Sequence, residues 1–290
     1  MTTTTTATTA SAPFGSTGLP SPHRARGSAL ARSGAGEAVK VLRRRFVLVT
    51  LAVVVAIAVG GTALSIVGAQ TTGGGPGSFL TVAELSDAGG GTAVLGQTAA
   101  FTYVFLLAVF IAAVAQEFTR GTFRTMLLHQ PARTPLLWGK VGVLIGYAVA
   151  AAFVAEVVCW FTARLIAPSQ GIDTSAWTSI DALGAAAGDL GRVGLFIAGT
   201  AVFATMIGVL ARSVPIGVGA ALVWSGPIEN IVGDNWSGAE RWFPGLLLRS
   251  VVAPGSTSTS TGRALVTLGA YALIAVGVTA VALRRRDVTS

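Results

Sequence analysis

Hydrophobic residues occur along the chain in six long runs, each bounded by polar or basic residues. The first run, residues 46–68, contains no charged residue. A hydrocarbon core about 30 Å thick is crossed by about 20 helical residues. Runs of this length therefore predict transmembrane helices. The six predicted spans are residues 46–68, 97–115, 141–163, 193–211, 214–232 and 264–283.

The composition supports the same class of fold. Of the 290 residues, 52% are hydrophobic and only 11% are charged, and the mean hydropathy is +0.70. Soluble domains carry about 25% charged residues, so this chain has too little charge to cover a globule in water. The sequence predicts an all-α polytopic membrane protein whose main partner is the lipid bilayer.

The basic residues are distributed unevenly over the predicted loops. Fifteen of the 20 Lys and Arg residues fall on one set of alternate loops, which also includes both chain ends. Lys and Arg are enriched on the cytoplasmic side of membrane proteins. We therefore expect both termini in the cytoplasm. The net charge of +8 follows this topology, and we expect no nucleic-acid partner.

The N-terminal region is of low complexity. Residues 1–27 are rich in Thr, Ser, Pro and Gly, and we expect a disordered cytoplasmic tail. The Arg43-Arg44-Arg45-Phe46 sequence resembles a twin-arginine export signal. The apolar run after it is about 23 residues long, whereas a signal-peptide core has about 7–15. We expect an uncleaved first span within a six-helix domain of residues 28–290.

Two later regions carry more specific structural predictions. Spans four and five are separated only by the corner at residues 212–215, which predicts a tight hairpin with close backbone approach at glycines. These glycines are Gly194, Gly199, Gly208, Gly217 and Gly219. Residues 233–262 are interpreted as a polar loop with interfacial Trp residues. Short re-entrant helices around residues 242–252 are the alternative.

The sequence offers little catalytic chemistry. The two His residues, His23 and His129, lie in the tail and in a loop, so neither is placed to activate a Ser within a span. HExxH and phosphate-loop motifs are absent from the sequence. A single Cys, Cys159, excludes a disulfide within the chain. We expect no enzyme activity, metal site or cofactor site in this chain.

The loop between spans two and three, residues 116–140, is the most informative segment. Residues 122–129 have apolar side chains at helical spacing, and Pro131 and Pro135 then end the helix. A short amphipathic helix here has two plausible uses. Its basic residues anchor it to acidic lipid, or its apolar face docks into a groove of a cytoplasmic partner. The apolar face is Phe123, Met126 and Leu127, and the basic residues are Arg120, Arg124 and Arg133.

This loop resembles the coupling segment of the permease subunits of ATP-binding-cassette exporters of the second type. That family has a glutamate at the end of span two, then Gly-Thr, Leu-Leu, proline, arginine and a lysine that opens span three. The matching positions are Glu117, Gly121, Thr122, Leu127, Leu128, Pro131, Arg133 and Lys140. The family's interfacial Glu-x-x-Lys-x-x-Arg helix, predicted at residues 33–45, is matched by Glu37, Lys40 and Arg43.

The resemblance implies a division of labour. A pair of cytoplasmic ABC ATPase subunits would bind ATP and push the loop helix, and a second permease, either a copy or a sibling, would complete twelve spans. In this scheme Phe123, Met126 and Leu127 fill the ATPase groove, and the basic residues surround it. Glu117 holds the loop geometry by accepting hydrogen bonds from Arg120 or from the interfacial helix. The expected location is the plasma membrane of a bacterium.

Ionisable residues within the spans are candidates for function because their burial in lipid is costly. Glu156 is interpreted as the one acid well inside a span. It is expected to form a structural pair, for which Arg164 is a candidate, to reach the outer interface, or to line the transport path. Asp189 and Arg192 are expected to form a local pair.

Two other functions remain open from the sequence. A secondary transporter driven by an ion gradient would use Glu156 as its coupling carboxylate. A membrane scaffold or immunity protein would perform no transport at all.

Overall fold

The computed structural model describes residues 29–69, 80–121, 133–236, 238–254 and 259–285. The side chains of residues 29–33, 40 and 133 are outside this description. Helices dominate the described segments, and we number them in chain order. They are α1 (Ala29–Val41), α2 (Arg44–Val67), α3 (Val82–Ser86), α4 (Gly90–Thr119), α5 (Arg133–Ile166), α6 (Ile180–Ala211), α7 (Val214–Val223), α8 (Glu229–Asn235), α9 (Pro244–Val252) and α10 (Thr261–Arg285).

Six of these helical segments are long and apolar enough to cross a membrane, which confirms the predicted fold class. The fifth span is composite, because α7 and α8 are joined by a π-helical segment at Trp224–Ile228. All six overlap the hydrophobic runs identified in the sequence. They are Arg44–Val67, Gly90–Thr119, Thr134–Gln170, Ile180–Ala211, Val214–Asn235 and Thr261–Arg285.

Three helices extend well beyond the predicted hydrophobic spans. Helix α4 begins at Gly90, α5 begins at Arg133, and α6 begins at Ile180. With 34 residues, α5 is about 51 Å long, which exceeds the hydrocarbon thickness of about 30 Å. Hydropathy detects the apolar part of a helix, whereas backbone hydrogen bonding continues the helix into the polar region.

Helices α4 and α6 form the centre of the bundle. In their most apolar stretches, 44% and 50% of the residues are buried, against 11% for both α2 and α5. Tyr103, Phe110 and Ile111 of α4 pack with Phe196 and Ala204 of α6 in the main core. The outer helices α2 and α5 keep most of their apolar side chains exposed or half-buried, as expected for surfaces that face lipid.

The corner between α6 and α7 is tight, as predicted. Helix α6 ends with Arg212 in the left-handed region at φ 51°, and α7 begins two residues later. The glycine prediction is only partly right. A Cβ at Gly208 would lie 3.0 Å from Val114 of α4, and one at Gly217 would lie 2.9 Å from Ile111 of α4. These two glycines therefore bring the hairpin close to the central helix.

Residues 233–262 differ from the predicted polar loop. Helix α9 lies within them and buries most of its residues, including Leu247 at 0% exposure and Leu248 at 1%. Its apolar face packs against α4, α6 and α10. A short helix was part of the alternative expected around residues 242–252. The structure has one α-helix there, Pro244–Val252, rather than a pair.

The π-helical segment follows from Pro227. Proline has no N–H and clashes with the carbonyl one turn before it, so the regular hydrogen-bond ladder is interrupted. Side chains compensate locally. The amide of Asn230 donates to the carbonyl of Gly226 at 2.5 Å, and the Ser225 hydroxyl donates to the carbonyl of Ala221 at 2.7 Å. Two carbonyl groups of the interrupted region thus accept side-chain hydrogen bonds.

Candidate functional site

A buried cluster of charged residues joins three helices at one end of the bundle. The Nζ atom of Lys140 donates a short hydrogen bond to Oε1 of Glu117 and lies 3.8 Å from Oε2 of Glu37. All three residues are at most 8% exposed. Glu37 belongs to α1, Glu117 to the end of α4, and Lys140 to the first turns of α5. One ammonium group thus links the three elements.

Close backbone packing places α1 against α5. A Cβ at Gly34 would lie 3.3 Å from the Val143 side chain and 3.7 Å from the carbonyl of Gly139. The absence of a side chain at Gly34 therefore allows α1 to approach the helix that carries Lys140. Helix α1 then stops at Val41, and Arg43 adopts an extended conformation before α2. This break separates α1 from the first span.

The α6–α7 corner packs on the same end of α4. The Thr119 hydroxyl donates to the carbonyl of Arg212 at 3.3 Å, and the Arg212 guanidinium lies 5.5 Å from the centre of the Phe118 ring. Phe118 and Thr119 immediately follow Glu117. The end of α4 therefore contacts both the charged cluster and the α6–α7 hairpin.

The charged cluster contains three residues that the family resemblance singled out. Sequence reasoning expected Glu117 to bond to Arg120 or to the interfacial helix; in the structure, Lys140 is its ion-pair partner. Arg120 is exposed at the end of α4, and Gly121 follows it at φ 68°. Thus the first four residues of the predicted 116–140 loop belong to α4, and its last eight residues, 133–140, belong to α5.

The remaining predicted coupling residues fall largely outside the described structure. Helix α5 begins at Arg133, and Lys40 lies on α1, but their side chains are among those not described. Arg43 is exposed in the break between α1 and α2 rather than on the interfacial helix. The residues outside the described segments are Thr122, Phe123, Arg124, Met126, Leu127 and Pro131.

Glu156 lies in a second notable place, about 24 Å further along α5 than Lys140. It is 6% exposed, and its Oε1 atom has no hydrogen-bond partner among the described residues. It lines a cavity of about 360 Å³ between α4, α5, α6 and the segment that precedes α6. The position is therefore that of a cavity-lining acid.

Arg164 does not pair with Glu156 in the described part of the chain. Its Nη1 atom donates to the carbonyl and to the hydroxyl of Thr174, at 3.2 and 3.1 Å. Its guanidinium also lies 5.8 Å from the centre of the Trp160 ring. The two residues are eight positions apart on α5, and the loop residue Thr174 offers Arg164 nearer partners.

Two Trp residues form part of the cavity wall. A Cβ at Gly91 would lie 2.9 Å from the Trp160 indole and 3.1 Å from the Trp177 indole, so this glycine lets both rings approach α4. The Nε1 atom of Trp177 donates to the carbonyl of Leu85 at 2.9 Å. This bond fixes Trp177 between α3 and the cavity.

The predicted pair of Asp189 and Arg192 is present. Their side chains form an ion pair at 2.7 Å, and Asp189 also accepts a 2.9 Å hydrogen bond from the Thr92 hydroxyl. Thr92 lines the cavity as well. A polar bridge from α6 to α4 thus lies beside Glu156.

Sequence reasoning missed a second buried acid, Glu229. It lies inside the fifth predicted span, so the interpretation of Glu156 as the one acid within a span was wrong. Glu229 is 0% exposed, and its Oε1 accepts hydrogen bonds from the Trp224 indole at 2.9 Å and from the Gly245 amide at 3.1 Å. The acid therefore joins the π-helical segment to the start of α9.

The surroundings of Glu229 are polar and aromatic. Arg249 of α9 donates to Asn230 at 3.0 Å and lies 6.0 Å from the centre of the Tyr103 ring. A Cβ at Gly245 would overlap Oε2 of Glu229. The sequence signal for this cluster was an acid two residues after Pro227 in an otherwise apolar run.

Among the described residues, His, Cys, Asp and Glu side chains form no group of three or more that could hold a metal ion.

The fold and these sites define a class: the chain is a multi-pass helical membrane protein. No protein-family model matches it, and no curated protein matches it either. The resemblance to ABC exporters therefore rests on the sequence motifs around Glu117 and Lys140 alone.

Proposed function

We propose that this chain is the membrane-spanning permease subunit of an ATP-driven exporter in a bacterial plasma membrane, with both termini in the cytoplasm. The observation that carries the proposal is the buried cluster of Glu37, Glu117 and Lys140. It lies where the chain leaves α4 and where it re-enters α5, on either side of the proposed coupling segment.

A loop that transmits force needs a rigid base, and the cluster supplies one. Removing one partner of a buried ion pair costs about 3–5 kcal/mol, so separation of the three side chains is strongly opposed. Displacement of residues 122–132 would therefore move α1, α4 and α5 together. Contacts of α4 with the α6–α7 corner would extend the motion across the bundle, as a rigid-body switch.

In this proposal, Phe123, Met126 and Leu127 insert into a groove of a cytoplasmic ABC ATPase, and Arg120, Arg124 and Arg133 make the surrounding polar contacts. The ATPase dimer binds ATP, and this chain supplies no nucleotide site. A second permease, either a copy or a sibling, completes the transport pathway.

A second candidate function is favoured by one observation. Glu156 is buried in a cavity and its Oε1 lacks a hydrogen-bond partner. Such an acid suits the coupling site of a secondary transporter driven by an ion gradient. This candidate needs no ATPase, which separates it from the exporter.

The loop assignment is tested by co-purification with the ABC ATPase encoded in a neighbouring reading frame. We expect the two proteins to co-purify and the doubly substituted Phe123→Asp/Met126→Asp chain to lose the ATPase. Thr125→Asp is the matched control, because residue 125 lies off the predicted apolar face, and it should retain the complex. Equal recovery of the ATPase with all three chains contradicts the proposal.

A second experiment separates the exporter from the alternatives. The purified complex in lipid nanodiscs should hydrolyse ATP at a different rate from the free ATPase. Lys140→Gln in the membrane subunit should abolish this difference in rate. If this chain and its ATPase together protect cells from a toxic compound, inactivating the ATPase at its catalytic glutamate should abolish that protection. Full protection with the inactive ATPase favours the scaffold or immunity protein, and ion-driven uptake by this chain alone favours the secondary transporter.

A further inference from the structure

The cavity beside Glu156 combines one acid with apolar and aromatic walls. Its walls come from α4, α5, α6 and the segment around Trp177. Phe153 and Trp160 lie on the same helix as Glu156, one turn before it and one turn after it. The carboxylate is thus flanked along α5 by two aromatic rings.

The described residues of the cavity wall include no Lys, Arg or His. Two cations on the helices that form the wall have other partners, since Arg164 binds Thr174 and Arg192 binds Asp189. Arg164 and Arg192 are also exposed, so solvent weakens their influence on the cavity. Glu156 therefore faces no positively charged side chain among the described residues that line the cavity.

The chemistry of the walls selects the kind of cation. A hard metal ion requires several oxygen ligands, whereas this wall offers a single carboxylate, Thr and Ser hydroxyls and mostly apolar surface. Aromatic faces attract organic cations, and quaternary ammonium groups in particular are recognised by aromatic cages. A volume of about 360 Å³ is at the small end of ligand sites.

We propose that this cavity is a binding site for a small organic cation, such as a quaternary ammonium group, with Glu156 as the counter-charge and Trp160 and Phe153 as aromatic walls. The free cation and the choline headgroup of a lipid share this chemistry. The site is independent of the proposed transport function, because binding is a property of this chain alone.

The test uses the purified full-length chain in phosphatidylglycerol nanodiscs, with benzyltrimethylammonium as the probe. Calorimetry should show saturable binding above that of empty nanodiscs, and Glu156→Gln should weaken it at least tenfold. Asp181→Asn is the matched control, because Asp181 is an exposed acid at the start of α6 that does not line the cavity. This variant should bind the probe with an affinity within twofold of that of the unsubstituted chain.

Further arms test the aromatic wall and the charge of the ligand. Trp160→Leu should weaken binding several-fold, whereas Trp236→Leu, which changes an exposed Trp away from the cavity, should not. Neopentylbenzene, the neutral isostere of the probe, should not compete. Competition by phosphatidylcholine in the nanodiscs would identify a lipid headgroup as the source of the cation. If phosphatidylcholine does not compete, the ligand is a free cation.

One further measurement uses the unsubstituted chain, so its result does not depend on whether a variant folds. Dicyclohexylcarbodiimide should label Glu156, as detected by mass spectrometry, and the probe should slow this labelling in a saturable way. Absence of saturable binding, equal affinity of the Glu156→Gln chain, or labelling unaffected by the probe would each overturn the proposal.

Discussion

Lys140 acts at the scale of a single residue, because its ammonium group serves two carboxylates on two other helices. The contacts with Glu117 and Glu37 are almost fully removed from water. Buried charges of this kind are costly unless they remain paired, so the loss of one member is more disruptive than the loss of an exposed ion pair.

We therefore expect Lys140→Gln to lower the free energy of unfolding by about 3–5 kcal/mol. The measurement is equilibrium unfolding in detergent. Arg120→Gln changes an exposed cation directly after α4. It should change the free energy of unfolding by no more than about 0.5 kcal/mol. A Lys140→Gln chain as stable as the parent would show that the cluster contributes little.

A double-mutant cycle resolves the pair itself. If the two side chains interact as the geometry indicates, Glu117→Gln and Lys140→Gln should be strongly non-additive, with a coupling energy of about 1–3 kcal/mol. Additive effects would mean that each residue acts through different neighbours.

Asp173 provides the pH-dependent prediction at this scale. The Ser175 amide at 2.9 Å and the Ser175 hydroxyl at 3.0 Å both donate to its carboxylate, which lowers the pKa of Asp173 below its ordinary value. This contribution to folding is present above the unfolded-state pKa and is lost as the pH falls through the folded-state value.

Ser175→Ala removes the hydroxyl and leaves the backbone donor. We expect the pKa of Asp173 to move part of the way back toward its ordinary value, as measured by an NMR titration of the labelled carboxyl carbon. A pKa unchanged by the substitution would assign the whole effect to the amide.

At the scale of elements, glycines decide how closely helices approach. A Cβ at Gly96 on α4 would overlap the carbonyl oxygen of Val252 at the end of α9. A backbone oxygen cannot rotate away as a side chain can, so α9 must shift if residue 96 carries a side chain. Gly219 on α7 faces open space instead, with no atom within 4 Å of a built Cβ.

Gly96→Ala should consequently destabilise the protein by about 1–3 kcal/mol through overpacking. Gly219→Ala should be neutral or slightly stabilising, because Ala favours the helical conformation over Gly. Thermal unfolding in the same detergent compares the two. Equal effects would indicate that α9 is not held against α4.

Glu229 connects two further elements. Its Oε1 accepts the Trp224 and Gly245 N–H groups, and both donors lose this partner if the acid is truncated. Glu229→Ala should cost about 2–6 kcal/mol, since two donors lose their acceptor and each costs about 1–3 kcal/mol when left unpaired. Glu229→Gln keeps an acceptor and should cost much less, as measured by unfolding; equal losses would assign the effect to charge.

At the scale of the whole molecule, the proposed orientation predicts which ends of the bundle face the cytoplasm. Arg120 lies at the end of α4, and Gln170 lies beyond the end of α5, in the next loop; both are exposed. The native Cys159 is buried, and Cys159→Ala removes it from the experiment.

In that background, a membrane-impermeant maleimide should label Gln170→Cys in intact cells and Arg120→Cys only after permeabilisation. The reverse pattern would invert the topology and remove the loop from the reach of a cytoplasmic ATPase. The cation site beside Glu156 is independent of this outcome.

The sequence by itself determined the class of the protein and the number of its spans. Uninterrupted apolar runs of about 20 residues, with too little charge for a soluble surface, leave the membrane helix as the structure that satisfies the backbone. The motif around Glu117 and Lys140 also marked residues that meet in space. Their pairing with each other was not evident, since the expected partner of Glu117 was Arg120 or the interfacial helix.

Only the tertiary structure decided how the helices meet. It placed α4 and α6 at the centre, buried α9 in what had been interpreted as a polar loop, and gave Glu229 its two donors. These outcomes depend on contacts between residues far apart in the chain, such as Gly96 with Val252. Hydropathy is a local property, whereas burial and the choice of partner for a charge depend on which helices pack together.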